Sequence, residues 1–121
     1  MVRVLIVDDS PAQIFKLKAL VEEWGHETLI AENGDQALEI AEKEQPDVIL
    51  MDIIMPGMSG FQATRKLSRD PATHSIPVIF VSTKDGESDR VWGMRQGAIG
   101  YVTKPVNPDL LHTAITDAIA A

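Results

Sequence analysis

Cysteine is absent from the 121-residue chain. That single absence excludes disulfides, thiolate metal sites and cysteine nucleophiles. Net positive charge is missing too: the formal charge is -7. Non-specific binding to nucleic acid or to an anionic membrane surface relies on positive potential, so neither is expected. No apolar run is long enough to span a bilayer, and the opening "MVRVLIVDDS" meets acids too early for a secretory signal. The cytoplasm is therefore the expected compartment. Linkers, low-complexity stretches, internal repeats and charge runs are all lacking, and the length suits one domain with a single core, 1–121.

What remains is alternation. Short β-branched runs stand at Arg3 to Val7, Glu27 to Ala31, Asp47 to Met51, Pro77 to Val81 and Ile99 to Thr103. Each is followed by a longer segment with helical spacing, which gives five strand and helix pairs. "VLIV", "VILM" and "VIFV" have no polar alternation, as central parallel strands covered on both faces require. Ser10 and Pro11 mark the start of the first helix, and Gly25 its end. Asn107 and Pro108 open the last, whose Leu110, Leu111, Ala114, Ile115, Ala118 and Ile119 read as a core-facing stripe. Asn33 and Ser59 are expected caps of the second and third helices. The fourth, in "GESDRVWGMRQG", is weakened by Gly93. Right-handed crossovers turn this order into an open, doubly wound α/β fold with a parallel sheet.

Ligands of such sheets bind at the carboxyl ends of the strands. There the sequence places Asp8 and Asp9 after the first strand, Asp52 after the third, Ser82 and Thr83 after the fourth, and Lys104 after the fifth. If strands one, three, four and five are neighbours, three carboxylates, two hydroxyls and an ammonium share one crevice. Clustered carboxylates repel, so some are protonated or a cation lies among them. Oxygen-only ligands in so sparse a set favour Mg²⁺ over Ca²⁺, which needs a fuller cage. Beside such a cation, Asp52 is placed to attack phosphorus and form an acyl phosphate, with Ser82 and Lys104 on the phosphoryl oxygens.

Taken singly, each residue has an ordinary reading. Asp8 and Asp9 suit the dipole of the helix they precede, Asp52 can open a turn, and Lys104 can be a solvated surface charge. Only their joint occurrence at strand ends points to chemistry. His26, His74 and His112 show no ligand or relay spacing, and Trp24 and Trp92 read as packing or surface contacts.

At this point "LIVDDS", "DVILMDIIMPGMSG", "PVIFVST" and "GAIGYVTKP", in this order over essentially the whole chain, resemble the motifs of the receiver domain of two-component response regulators. The resemblance implies the flavodoxin-like (βα)5 fold with strand order 2-1-3-4-5. It implies Asp52 as phosphoacceptor. Asp8, Asp9, Asp52 and the backbone carbonyl of Ile54 become the Mg²⁺ ligands, with Asp9 the more direct of the acidic pair. Ser82 and Lys104 become the phosphoryl contacts, Ser82 and Tyr101 the switch, and Lys104-Pro105 a cis bond. A CheA-like histidine kinase is the implied phosphodonor. A downstream motility protein is the implied partner, at the face of the fourth helix, fifth strand and fifth helix. The expected state is a monomer or weak dimer, with no output module and no separate substrate turnover.

Among such receivers, "GFQATRKLSRDP", "STKDGESDRVWGMRQGA" and "YVTKPV" are most similar to PilH-type stand-alone receivers of the chemosensory systems that control type IV pilus twitching motility. The neighbouring readings are a flagellar chemotaxis receiver, a phosphate sink and a non-phosphorylated pseudo-receiver that docks partners. An aspartate-nucleophile phosphatase wants its two acids two residues apart and a cap. An FMN carrier is opposed by two negative charges in "DDSPAQ". Two positions depart from the common pattern: apolar Ile54, two after the acceptor, and Lys84, two after Ser82. Ser82 itself stands where threonine is commoner.

Overall fold

Five strands and five helices alternate along residues 2–120, the part of the chain described by the computed structural model. They are β1 Arg3–Val7, α1 Pro11–Glu23, β2 Glu27–Ala31, α2 Gly34–Glu44, β3 Val48–Met51, α3 Gly60–Arg69, β4 Val78–Ser82, α4 Glu87–Arg95, β5 Gly100–Thr103 and α5 Pro108–Ala120. All neighbouring strands pair in parallel, in the order β2-β1-β3-β4-β5. This is the flavodoxin-like order implied by the motifs. β3, β4 and β5 each begin one residue later than the apolar runs suggest, with Asp47, Pro77 and Ile99 as lead-in residues, and β4 runs one residue further, through Ser82.

The apolar strands separate two cores. On one face Leu5, Val7, Ile49, Met51 and Phe80 pack with Ala37 and Ala41 of α2 and Ala63 and Leu67 of α3. On the other, Val4, Ile6, Leu50, Ile79 and Val102 pack with Leu17 and Val21 of α1 and Leu111 and Ile115 of α5. Full burial of each such aliphatic side chain contributes about 1.5–3 kcal/mol. That strand alternation serves two helix layers explains why the central runs are apolar throughout. The α5 stripe is narrower than its periodicity suggests: Leu111, Ile115 and Ala118 are buried, but Leu110 is 63% exposed.

The helix starts are built as their sequences indicate. The Ser10 hydroxyl accepts from the Gln13 N–H (3.4 Å), and the Asn33 side chain accepts from the Gln36 N–H (2.9 Å). Ser59 and Gln62 form a reciprocal capping box. Asn107 accepts from the N–H groups of Asp109 and Leu110. α4 starts at Gly86 without a side-chain cap. Its Gly93 is a fitted contact as well as a weak helix former: a Cβ there would lie 2.9 Å from the Phe80 ring.

Candidate functional site

The parallel ladder runs one residue past several strands, and this fixes the rim. The Asp8 N–H donates to the Ala31 carbonyl (3.1 Å), the Asp52 N–H to Val7 (2.9 Å) and the Lys104 N–H to Ser82 (2.8 Å). Each polar residue is thus held by the sheet itself, although its side chain projects beyond it. Positions on rigid elements hold reacting groups more accurately than loops do.

Asp8, Asp9 and Asp52 meet there. One carboxylate oxygen from each lies within 4.8 Å of the others. Asp8 and Asp52 are buried, whereas Asp9 is exposed at the mouth. The Lys104 ammonium reaches in from the end of β5, 2.8 Å from Asp8 Oδ2 and 3.5 Å from Asp52 Oδ1. The cis Lys104-Pro105 bond follows immediately. Asp8 Oδ1 also accepts from the Ser10 N–H, and Asp52 Oδ1 from the Ile53 N–H, both at 2.9 Å. Asp52 Oδ2 takes no hydrogen bond from the described residues.

One ammonium among three carboxylates leaves the pocket anionic. Burial is the main cause that raises the Asp52 pKa to about 6, and the Asp8 charge adds to it. Lys104 and the Ile53 N–H act in the opposite direction and only partly offset it. The donor set is therefore all oxygen, negatively charged and open on the Asp9 side. Such a set fits a hard divalent cation that retains several waters.

Ser82 is fully buried at the end of β4, and its hydroxyl accepts from the Lys84 N–H at 3.1 Å. The Lys84 ammonium is turned toward Asp89, 4.0 Å away. Ile54, two residues beyond Asp52, has a side chain 58% exposed. Tyr101 packs its ring toward Phe80, with centroids 6.0 Å apart, and its hydroxyl donates to the Lys84 carbonyl. Asp8, Asp9, Asp52, Ser82 and Lys104 are thus brought to one end of the sheet, while Tyr101 lies further back on β5, opposite Phe80.

Two contributors were not singled out from the sequence. Gly60, the first residue of α3, passes so close to the acceptor loop that a Cβ would lie 2.0 Å from the Asp52 carbonyl oxygen. Its N–H donates to the Ile53 carbonyl at 2.8 Å. The glycine inside "MPGMSG" was the available signal. Arg90, on α4, lies over the Tyr101 ring, and nothing in its local sequence announces that contact.

Residues 4–116 match the family model of the response regulator receiver domain. Over 120 residues the chain is 55% identical to protein PilH of Pseudomonas aeruginosa, covering 99% of each. It is 40% identical over 113 residues to the response regulator PleD of Caulobacter vibrioides, of which it spans 25%. Among solved structures, the chemotaxis protein CheY4 of Vibrio cholerae superposes with a TM-score of 0.91 at 30% identity, covering 98% of each chain. The receiver domain of a sensor histidine kinase from Pseudomonas aeruginosa also gives 0.91, at 26% identity over 99% of this chain and 98% of that one; its crystal structure has a magnesium ion coordinated in the active-site cleft. A sheet that delivers acids and a lysine to one rim, and matches of this extent, have one common explanation: the chain belongs to the response regulator receiver domain family.

Proposed function

We propose that this receiver takes a phosphoryl group from a CheA-like histidine kinase onto Asp52 and signals through the α4-β5-α5 face. The observation that carries the reading is the convergence of the Asp8, Asp9 and Asp52 carboxylates with the Lys104 ammonium on one strand-end rim. Mg²⁺ would be held by Asp8, Asp9, Asp52 and the backbone carbonyl of Ile54. When bound, it screens the carboxylates and attracts phosphoryl oxygens.

The chain's own groups supply the rest. Asp52 Oδ1 is occupied by the Ile53 N–H and faces Lys104, so the other oxygen, Oδ2, is the nucleophile. It forms a bond to phosphorus as the bond from phosphorus to the donor imidazole nitrogen breaks, and the electron pair leaves with the imidazole. Lys104 is within reach of the acceptor and neutralises charge on the transferred group. Ser82 turns its hydroxyl to a phosphoryl oxygen, which gives up its bond from the Lys84 N–H. Tyr101, whose hydroxyl already donates to the Lys84 carbonyl, is held in that place, and the face around the groove of about 860 Å³ between α4, β5 and α5 is fixed in that form.

The likeness to PilH supports the PilH-type reading of the motifs; with that reading go a role in type IV pilus twitching motility, the cytoplasm, and a monomer or weak dimer. Among the described residues no helix is long and apolar enough to cross a membrane. Intact mass after incubation with acetyl phosphate tests the chemistry. The expected result is a phosphoryl adduct that requires Mg²⁺ and is missing in Asp52→Asn. No adduct, even with a kinase supplied, would leave a docking pseudo-receiver.

The exposed apolar Ile54 beside the acceptor offers no hydrogen bond to an attacking water. Ile54→Asn is therefore expected to shorten the lifetime of the Asp52 phosphate several-fold, read as loss of adduct after the donor is removed. An unchanged or longer lifetime would contradict that role.

A further inference from the structure

Tyr101 occupies a defined place: its ring joins the core cluster beside Phe80, and its hydroxyl is tied to the Lys84 carbonyl in the loop between β4 and α4. It is therefore turned inward, with no phosphoryl group required to hold it there. What covers its outer side is Arg90 of α4. The guanidinium carbon lies 5.0 Å from the centre of the Tyr101 ring. One guanidinium nitrogen donates to the Thr103 hydroxyl at 2.8 Å, and the other to the Tyr101 carbonyl at 3.4 Å. No acidic partner of Arg90 occurs among the ion pairs of the described residues, so the strap across β5 is its main engagement. A planar fork that stacks and donates at once is a property of arginine that lysine lacks.

We infer that Arg90 is a positioning residue: it clamps Tyr101 inward between Phe80 and the guanidinium, so that the signalling face is biased toward its Tyr-inward form before any phosphoryl group arrives. This rests on the proposed coupling between Asp52 and Tyr101. By linkage, a contact that favours the inward form also favours whatever binding at Asp52 selects that form. Cation-π stacking and one hydrogen bond together correspond to a bias of about three- to tenfold.

Tyr101 is the only tyrosine of the chain, so incorporation of 3-fluorotyrosine gives one ¹⁹F resonance that reports its position. The full chain is compared with Arg90→Gln, Arg90→Lys and Thr103→Val, each with and without Mg²⁺ and beryllofluoride as the acyl-phosphate mimic. The unliganded wild type is expected to resonate near its beryllofluoride-loaded position, with a small H₂O/D₂O isotope shift. Arg90→Gln and Arg90→Lys are expected to move away toward a solvent-exposed shift, return on loading, and bind beryllofluoride up to about twofold more weakly, in proportion to the inward population lost. Thr103→Val, which retains the stacked arginine, is expected to move less in the same direction. Unliganded Arg90→Gln that superposes on the wild type would overturn the clamp. A resonance that moves in Arg90→Gln but does not return on loading, with unchanged beryllofluoride affinity, would instead overturn the coupling of Tyr101 to Asp52, and with it any tuning of the site by Arg90.

Discussion

Gly60→Ala is expected to destabilise the protein by about 3 kcal/mol or more and to impair phosphoryl uptake with it. The added methyl would lie 2.0 Å from the Asp52 carbonyl oxygen and 2.8 Å from the Ile53 Cα. Those are backbone atoms, so no side-chain rotation relieves the clash. Either the first turn of α3 moves away, which breaks the bond from the Gly60 N–H to Ile53, or the acceptor loop moves and takes Asp52 with it. Ser59→Ala is the matched control, because it removes the reciprocal cap with Gln62 at the same helix end without touching Asp52. It is expected to cost about 1 kcal/mol and to leave acetyl phosphate labelling at the wild-type rate. Denaturant unfolding and adduct formation measured on both variants separate the two effects.

The second large effect concerns pH. In the metal-free protein the Asp52 pKa is raised from 3.8 to about 6, mainly by burial. Between about pH 4 and pH 6 the folded chain therefore holds this proton more tightly than the unfolded chain does. Stability falls as pH rises through that window, by at most about 3 kcal/mol, and the penalty is complete above it. Asn at position 52 has no charge to bury. Asp52→Asn is accordingly expected to flatten this dependence and to raise the melting midpoint of the metal-free protein at pH 8 by up to roughly 10 °C. Mg²⁺ should then stabilise the wild type much more than the variant, since it acts by mass action on the charged site. A variant less stable than the wild type at pH 8 without Mg²⁺ would show that the Lys104 contact outweighs the cost of burial.

Much of this was legible in the sequence because each signal is local. "VLIV", "VILM" and "VIFV" specify strands covered on both sides, and both core clusters draw on them. Ser10, Asn33 and Ser59 cap the helices that they precede. The acids and the lysine follow their strands directly, so the strand order puts them on one rim, and the long Lys104 side chain then reaches past β4 and β3 to Asp8, 96 positions away. What the pattern misses depends on neighbours distant in sequence. Periodicity places Leu110 on the apolar face of α5, but it does not say how far the sheet extends beneath that helix, and Leu110 is left exposed beside the β5 groove. Gly93 reads as a helix breaker until the Phe80 ring is seen against it. Nothing in the sequence around Arg90 signals that β5 brings Tyr101 and Thr103 beneath it.

The central claim is that Asp52, and neither Asp8 nor Asp9, is the group that takes the phosphoryl. Borohydride reduction of the protein after incubation with acetyl phosphate and Mg²⁺ converts an aspartyl phosphate to homoserine, which peptide mass mapping then locates. Homoserine at position 52, dependent on both Mg²⁺ and the donor, is the result that this site geometry predicts. Homoserine at position 8 or 9, or at 52 without the donor, would contradict it.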